Sequence, residues 1–149
     1  MIFVTVGTTY FDDLIREVDR LAAEGFFKEE VICQISTGTY KPQHCQYFTS
    51  KDTIEPYLSE CSLLISHGGM TVLEAIWRGK RVVAVSNRNM ANNHQVQFLR
   101  KLGEVFGLPW TDNPRHLSLL IPQAKKIKAH LREPHLSAYI QGLLEEARR

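Results

Sequence analysis

The sequence has 149 residues, of which 44% are hydrophobic, and its 18 Lys and Arg against 16 Asp and Glu leave a formal net charge of +2. This length predicts one soluble domain with a single core. The near-neutral charge argues against a nucleic-acid binder, which would concentrate basic residues on one face. Because no segment has the pattern of a signal peptide or of an apolar membrane span, we expect a cytoplasmic protein.

Short apolar runs alternate with helical patterns along the chain. Leu14, Val18 and Leu21 predict a first helix, and residues 70–77 predict another that ends by Gly79. Residues 36–50 read as a loop-rich crossover, in which residues 46–48 have the composition of a short strand. The alternation predicts a single Rossmann-like, doubly wound parallel sheet. The continuous apolar runs assigned to its buried strands are residues 2–6, 31–35, 63–65 and 82–85.

The second part of the chain is predicted to be helical. Residues 92–102 form a helix closed by Gly103, and no further strand is expected after Pro109. A long helix then begins near Pro114, capped by Asp112 or Asn113, kinks at Pro122 and continues to Leu131. Residues 135–149 form a final amphipathic helix. We expect residues 1–149 to be one domain.

Ligands of open α/β sheets bind beyond the carboxyl ends of the strands, so the loops that follow the strands are the candidate ligand-binding segments. Gly7-Thr8-Thr9 follows the first strand. It is too short for a G-x-G-x-x-G dinucleotide loop and lacks the Lys of a phosphate-binding G-x-x-x-x-G-K-[ST] loop. Nicotinamide-dependent and ATP-hydrolysing functions therefore lose support.

Two glycines, Gly68 and Gly69, stand where the strand of residues 63–65 gives way to the next predicted helix. They allow a ligand to approach the unpaired N–H groups at the start of that helix, which favours an anion. Glu74, one turn further on, suits a hydrogen bond to a ribose diol, so the pattern indicates a nucleotide. The alternative is that Thr71 and Glu74 form a capping box and serve only the helix itself.

An amide-rich loop, residues 86–95, follows the last predicted strand. Amides carry both donors and acceptors, as the recognition of sugar hydroxyls requires. A solvated loop with Asn92 or Asn93 as helix cap is the alternative. The three cysteines, Cys33, Cys45 and Cys61, have no C-x-x-C spacing and predict free thiols rather than a disulfide framework or a zinc site.

These loops, in this order, resemble the C-terminal, nucleotide-binding half of the GT-B glycosyltransferases, specifically glycosyltransferase family 28. Within that family the likeness is strongest to the small catalytic subunits of two-chain transferases, those that make dolichol-linked N-acetylglucosamine and their bacterial exopolysaccharide counterparts. The residues that carry the resemblance are 3–9, 11–14, 65–69, 73–75, 79–80 and 92–95.

The resemblance implies a UDP-sugar site. Phosphates and ribose would be held at the helix start and by Glu74, the sugar by the amide-rich loop, and uracil by a segment after residues 46–48. The implied nucleotide-sugar-binding residues are Gly7, Thr8, Thr9, Ser50, Lys51, His67, Gly68, Gly69, Met70, Thr71, Glu74, Asn93, His94 and Gln95.

A complete GT-B enzyme has a second, acceptor-binding half, which usually supplies the general base. By the same resemblance, we expect a membrane-anchored partner subunit that binds the lipid-linked acceptor and recruits this chain to the cytoplasmic face of a membrane. The last helix is the candidate docking element, although packing on its own sheet is the default explanation for such a helix.

Relatives in this family transfer the sugar with inversion, and the resemblance implies that neither a cofactor nor a metal is needed. His67 could bond phosphate or assist catalysis, although a histidine satisfied within its own loop is an equal alternative, and the general base is expected on the partner. Two other functions remain open: a non-catalytic sugar-nucleotide-binding or activating subunit, and a fragment related to UDP-N-acetylglucosamine 2-epimerases.

Overall fold

A computed structural model describes residues 1–87 and 94–127, together with residues 142 and 145. Most of the predicted final helix, and the end of the predicted helix that reaches Leu131, lie outside the described residues. Gly142 and Glu145 are both helical and exposed. In the described part of the chain, no helix combines the length and apolarity required to cross a bilayer.

A six-stranded sheet in the order β3-β2-β1-β4-β5-β6 forms the centre of the fold, and every neighbouring pair is parallel. The chain runs outward from β1 to β3 and then returns to β4 on the other side of β1. This reversal is the point at which open α/β sheets bind ligands. The strands are β1 Ile2–Thr5, β2 Val31–Gln34, β3 Gln46–Phe48, β4 Leu63–Ser66, β5 Arg81–Val85 and β6 Trp110–Thr111.

Helices cover both faces of the sheet, which confirms the doubly wound architecture. Because side chains of a strand alternate between faces, Val4 and Ile65 face one apolar cluster whereas Phe3 and Leu64 face the other. Helices α1 and α5 pack in the first cluster, and α2, α3 and α4 pack in the second. Their bounds are α1 Asp12–Ala23, α2 Glu55–Glu60, α3 Met70–Trp77, α4 His94–Phe106 and α5 Leu117–Leu120.

Two of the predicted boundaries are wrong. The sheet does not end before Pro109, because β6 adds a two-residue strand parallel to β5, too short to leave a periodic pattern. Helix α4 is not closed by Gly103 but continues to Phe106, next to Gly107 with φ +70°. A Cβ on Gly103 would lie 3.2 Å from the Trp110 ring, so this glycine makes room for packing and does not end the helix.

The predicted length of the helix that begins at Pro114 is also wrong, because the helical segment is shorter and interrupted. Its start is confirmed, because Asn113 Oδ1 accepts a hydrogen bond from the Arg115 N–H at 3.1 Å and Pro114 follows as the first helical residue. The segment then breaks into the 3₁₀ turn Pro114–His116, α5 and the 3₁₀ turn Ile121–Gln123. Helical backbone ends at Ala124, whose carbonyl accepts from Arg81 Nε at 2.9 Å.

Candidate nucleotide-sugar site

The loops that follow β1, β4 and β5 lie side by side, because these three strands are neighbours and run parallel. Thr5 and Ser66, the last residues of β1 and β4, are in register, and Ser66 is in register with Ala84 of β5. The carboxyl ends of the strands therefore bring Gly7, His67 and Asn87 to one edge of the sheet. This edge is where the sequence predicted a ligand.

The loop after β1 turns sharply at Gly7, which has φ +70°. A Cβ added at this position would lie 2.7 Å from Nε2 of His67, so only glycine allows the imidazole to approach the backbone this closely. Thr9 Oγ1 donates to the Val6 carbonyl at 3.3 Å, while Thr8 is exposed. The predicted Gly7-Thr8-Thr9 loop thus lies directly against the loop after β4.

The loop after β4 ends in two glycines with positive φ, Gly68 at +112° and Gly69 at +83°. Gly69 precedes α3, and no side chain among the described residues caps the first amides of that helix. Thr71 is inside the helix, so the capping-box alternative for Thr71 and Glu74 is wrong. N–H groups left without a side-chain cap at the start of a helix are an arrangement that favours an anion.

Glu74 lies one turn along α3 and belongs to an ion-pair network. Arg78 Nη2 donates to Glu74 Oε1 at 2.8 Å, and the same guanidinium donates to both carboxylate oxygens of Glu55 at 2.6 Å each. This bidentate hydrogen bond from Arg78 lowers the pKa of Glu55. The network ties α2 to α3 and fixes where the Glu74 carboxylate stands, while half of that side chain remains exposed.

Glu55 was missed by sequence reasoning, although a pattern at the start of α2 was available. Thr53 Oγ1 accepts from the Glu55 N–H at 3.1 Å, and Pro56 lies in the first turn of the helix. A threonine two residues before a Glu-Pro pair is a typical helix start.

Gln95, in the first turn of α4, connects the loops after β4 and β5. Its Oε1 accepts from the Asn87 N–H at 2.7 Å, and its Nε2 lies 3.0 Å from His67 Nδ1. Asn87 Nδ2 donates in turn to the Tyr10 carbonyl at 2.8 Å, which reaches the loop after β1. Burial lowers the pKa of His67. His94 begins α4, but its side chain and all of Asn93 lie outside the described residues.

Ser50 and Lys51 follow β3, also at the carboxyl edge, but two strands away from β1. Both are exposed, and Lys51 Nζ lies 5.0 Å from the centre of the Phe48 ring and 5.3 Å from that of Tyr57. The structure brings together Gly7, His67, Gly68 and Gln95, and it leaves Ser50 and Lys51 at the edge of this group.

Ser66 is a buried polar residue that sequence reasoning did not count as a site residue. Its side chain is 1% exposed, and its Oγ has no hydrogen-bond partner among the described residues. Thr5, its neighbour in β1, is buried too but donates to Gln34 Oε1. Polar residues that end apolar strands could have revealed this pair from the sequence.

Cys33, Cys45 and Cys61 are free thiols, as predicted. Over residues 1–87 and 94–127 no cluster of His, Cys, Asp or Glu is arranged to hold a metal ion. Among the described residues, the site is made of glycine backbone, the His67 imidazole, the amide side chains of Asn87 and Gln95 and the Glu74 carboxylate. This chemistry suits an anionic, hydroxyl-rich ligand.

The same fold occurs in larger glycosyltransferases. SnogD of Streptomyces nogalater aligns over 98% of this chain and 39% of its own, with a TM-score of 0.58 and 17% identity. An NMR structure of ALG13 aligns over 99% of this chain and 96% of its own, with a TM-score of 0.59 and 18% identity. The fold is therefore that of the C-terminal half of a GT-B glycosyltransferase.

Sequence comparison gives the family. The glycosyltransferase family 28 C-terminal domain matches residues 1–132, and this chain belongs to that family. The chain is 35% identical over 115 residues to the human protein named UDP-N-acetylglucosamine transferase subunit ALG13, and 35% identical over 114 residues to the mouse protein. These stretches cover 68% and 67% of the chain, but only 10% of the length of either relative.

Proposed function

We propose that this chain is the UDP-sugar-binding catalytic subunit of a two-chain inverting glycosyltransferase, which transfers a sugar to a lipid-linked acceptor in glycan or exopolysaccharide synthesis. The observation that carries this proposal is the uncapped start of α3 behind Gly68 and Gly69. Its N–H groups and the positive end of the helix dipole would bind the donor diphosphate. Gly7, Thr8 and Thr9 would line the opposite side, and Met70 and Thr71 the near side.

Glu74 would bind the ribose hydroxyls. Arg78 bonds to Oε1 of Glu74, and Oε2 has no hydrogen-bond partner among the described residues. A carboxylate held from one side and exposed on the other is suited to accept from a diol. The same arginine anchors Glu55 on α2, the helix that follows Ser50 and Lys51. We expect Ser50 and Lys51 to contact uracil.

The mechanism requires stabilisation of the departing UDP and a base for the acceptor hydroxyl. The start of α3 would provide the first requirement, because preorganised N–H groups stabilise charge that develops on the leaving phosphate. In this mechanism the start of α3 stabilises the charge on the diphosphate, as a metal ion does in other transferases. The base would come from the acceptor-binding subunit, and Asn93 and His94 would contact the transferred sugar.

The partner would be a membrane-anchored subunit that holds the lipid-linked acceptor and recruits this chain to the cytoplasmic face of the membrane. The human and mouse relatives are each named as a subunit of a UDP-N-acetylglucosamine transferase, which supports both a partner and this donor. UDP-N-acetylglucosamine is therefore the first donor to test.

Isothermal titration calorimetry of the chain with UDP, ADP and GDP tests the nucleotide. We expect binding of UDP and a clear preference for it over the two purine nucleotides. Failure to bind any of the three would refute the proposed function.

The Glu74→Gln variant tests the ribose contact. Because Glu74 is half exposed, the melting temperature of the variant should change little. The affinity for UDP should fall about tenfold, because one hydrogen bond to a charged group is lost. Glu104→Gln, an exposed carboxylate on α4, is the matched control and should leave UDP binding unchanged. Equal UDP affinities of the two variants would exclude the assigned role of Glu74.

A further inference from the structure

Gln95 is held between two loops of the site by both polar atoms of its side chain. Oε1 lies 2.7 Å from the Asn87 nitrogen and Nε2 lies 3.0 Å from His67 Nδ1. Its Cγ lies 3.2 Å from where a Cβ on Gly68 would be, so the side chain packs on the glycine turn as well. The residue that the family resemblance assigns to the sugar is therefore already engaged with protein groups.

The contacts of Gln95 determine the orientation of its amide. The Asn87 backbone N–H can only donate, so the atom of Gln95 that faces it must be the acceptor, Oε1. Nε2 then faces His67, and since an amide nitrogen can only donate, Nδ1 of the imidazole must accept. The proton of the neutral imidazole is consequently on Nε2.

Nε2 of His67 points to the loop after β1, 2.7 Å from the position that a Cβ on Gly7 would occupy. No described residue accepts a hydrogen bond from this atom. Its N–H, which faces the Gly7 turn, therefore has no acceptor in the part of the chain that the structure describes. Burial, which lowers the pKa of His67, keeps the ring neutral at physiological pH.

We propose that Gln95 is a positioning residue that holds His67 as its Nε2–H tautomer, so that the imidazole donates a hydrogen bond to the diphosphate of the donor. This proposal rests on the proposed function, because it takes the diphosphate as the ligand. It also removes His67 as general base, since Nδ1 is occupied by Gln95 and Nε2 carries the proton.

The test begins with the tautomer. Long-range proton–nitrogen NMR spectra of the uniformly nitrogen-labelled chain at neutral pH distinguish the two tautomers of His67, and a His67→Asn variant identifies its signals. We expect the Nε2–H form in the wild type. In Gln95→Glu, a carboxylate faces Nδ1 and favours its protonation, so the pKa of His67 should rise. Gln97→Glu, an exposed site on α4, should leave the His67 spectrum unchanged.

The second measurement is UDP affinity by calorimetry. Gln95→Glu should weaken UDP binding about tenfold or more, because the Nδ1–H tautomer that it favours removes the Nε2 donor and because it adds a negative charge near the diphosphate. Gln95→Met, which keeps the size and removes both hydrogen bonds, serves if Gln95→Glu does not fold. It should give mixed tautomers and weaker UDP binding, whereas Gln97→Glu should bind as the wild type does.

Each outcome decides one question. An Nδ1–H tautomer in the wild type overturns the inference. An Nε2–H tautomer in the wild type also overturns it if Gln95→Glu and Gln95→Met bind UDP with the affinity of the wild type. No UDP binding by the wild type refutes the proposed function instead, whatever tautomer His67 has.

Discussion

Gly7 has a left-handed backbone, φ +70°, and lies beneath the His67 imidazole. An alanine here would strain the backbone by about 1–2 kcal/mol, and its methyl group would in addition displace the ring from the position that Gln95 sets. We therefore predict that Gly7→Ala lowers both the free energy of unfolding and the affinity for UDP. Urea denaturation and calorimetry measure the two effects.

Gly107 is a close control for this substitution. Its φ is also +70°, but a Cβ at this position would meet no atom within 4 Å. Gly107→Ala should show the backbone strain alone and retain UDP binding. If Gly7→Ala and Gly107→Ala lose the same stability and bind UDP equally well, the close approach of His67 to Gly7 has no consequence for the site.

At the scale of elements, the crossover between β2 and β3 is held by two carboxylates of α1. Asp12 accepts from the Thr39 N–H and from Thr39 Oγ1, the latter at 2.8 Å. Asp19, which is 3% exposed, accepts from the Tyr40 hydroxyl at 2.6 Å and from the backbone N–H groups of Gln43 and His44. The loop-rich segment is thus tied to a helix, which positions β3 and the Ser50 and Lys51 segment after it.

Asp19→Asn tests this attachment. An amide presents one acceptor oxygen where the carboxylate offers two, and its NH₂ group would face backbone donors, so we expect a loss of about 1–3 kcal/mol in unfolding free energy. Faster hydrogen exchange at residues 40–45 should accompany it. Asp13→Asn, an exposed change on the same helix, should alter stability by less than about 0.5 kcal/mol. Similar losses in both variants would contradict the assigned role.

The same carboxylate gives this prediction a pH dependence. Burial raises the pKa of Asp19, but the hydrogen bonds from Tyr40, Gln43 and His44 outweigh it and leave the pKa below its usual 3.8. A group whose pKa is lowered by folding stabilises the folded state above its unfolded pKa and loses that contribution as the pH falls through the folded value. The difference between wild type and Asp19→Asn should therefore be constant near neutrality and shrink below about pH 4.

The sequence predicted those elements whose own residues carry a continuous or periodic apolar pattern. Residues 2–6 and the helix of residues 70–77 have continuous or periodic apolar patterns, and both were found. Strand β6 is two residues long, and its position depends on pairing with β5, which no local pattern records. Helix α2 has a start signal in the sequence, but its six residues are too few for a periodic apolar pattern. Gly68 and Gly69 were recognisable from the sequence as part of a site. The hydrogen bond between Gln95 and His67 was not, because it joins residues that are 28 positions apart.

In the whole domain, as far as the structure describes it, the proposed site lies at the carboxyl edge of the sheet. Tyr10 and Met70 lie at this edge, and their side chains are 49% and 56% exposed. The glycosyltransferase SnogD, which shares the fold, is matched over only 39% of its chain, so this fold is one part of a larger structure there. An acceptor-binding body placed over the edge would cover both side chains and exclude water from the reacting groups.

We therefore predict that the isolated chain binds UDP-N-acetylglucosamine without transferring its sugar, because the proposed acceptor base lies on the partner subunit. Transfer of radiolabel from this donor into a lipid extract should require co-expression with a chain that has one N-terminal membrane helix and a Rossmann-like body. The Gly7→Ala variant, co-expressed in the same way, is the control for a weakened donor site. Transfer by the isolated chain would show that the base lies on this chain, and donor binding with no transfer by the complex would indicate a non-catalytic sugar-nucleotide-binding subunit.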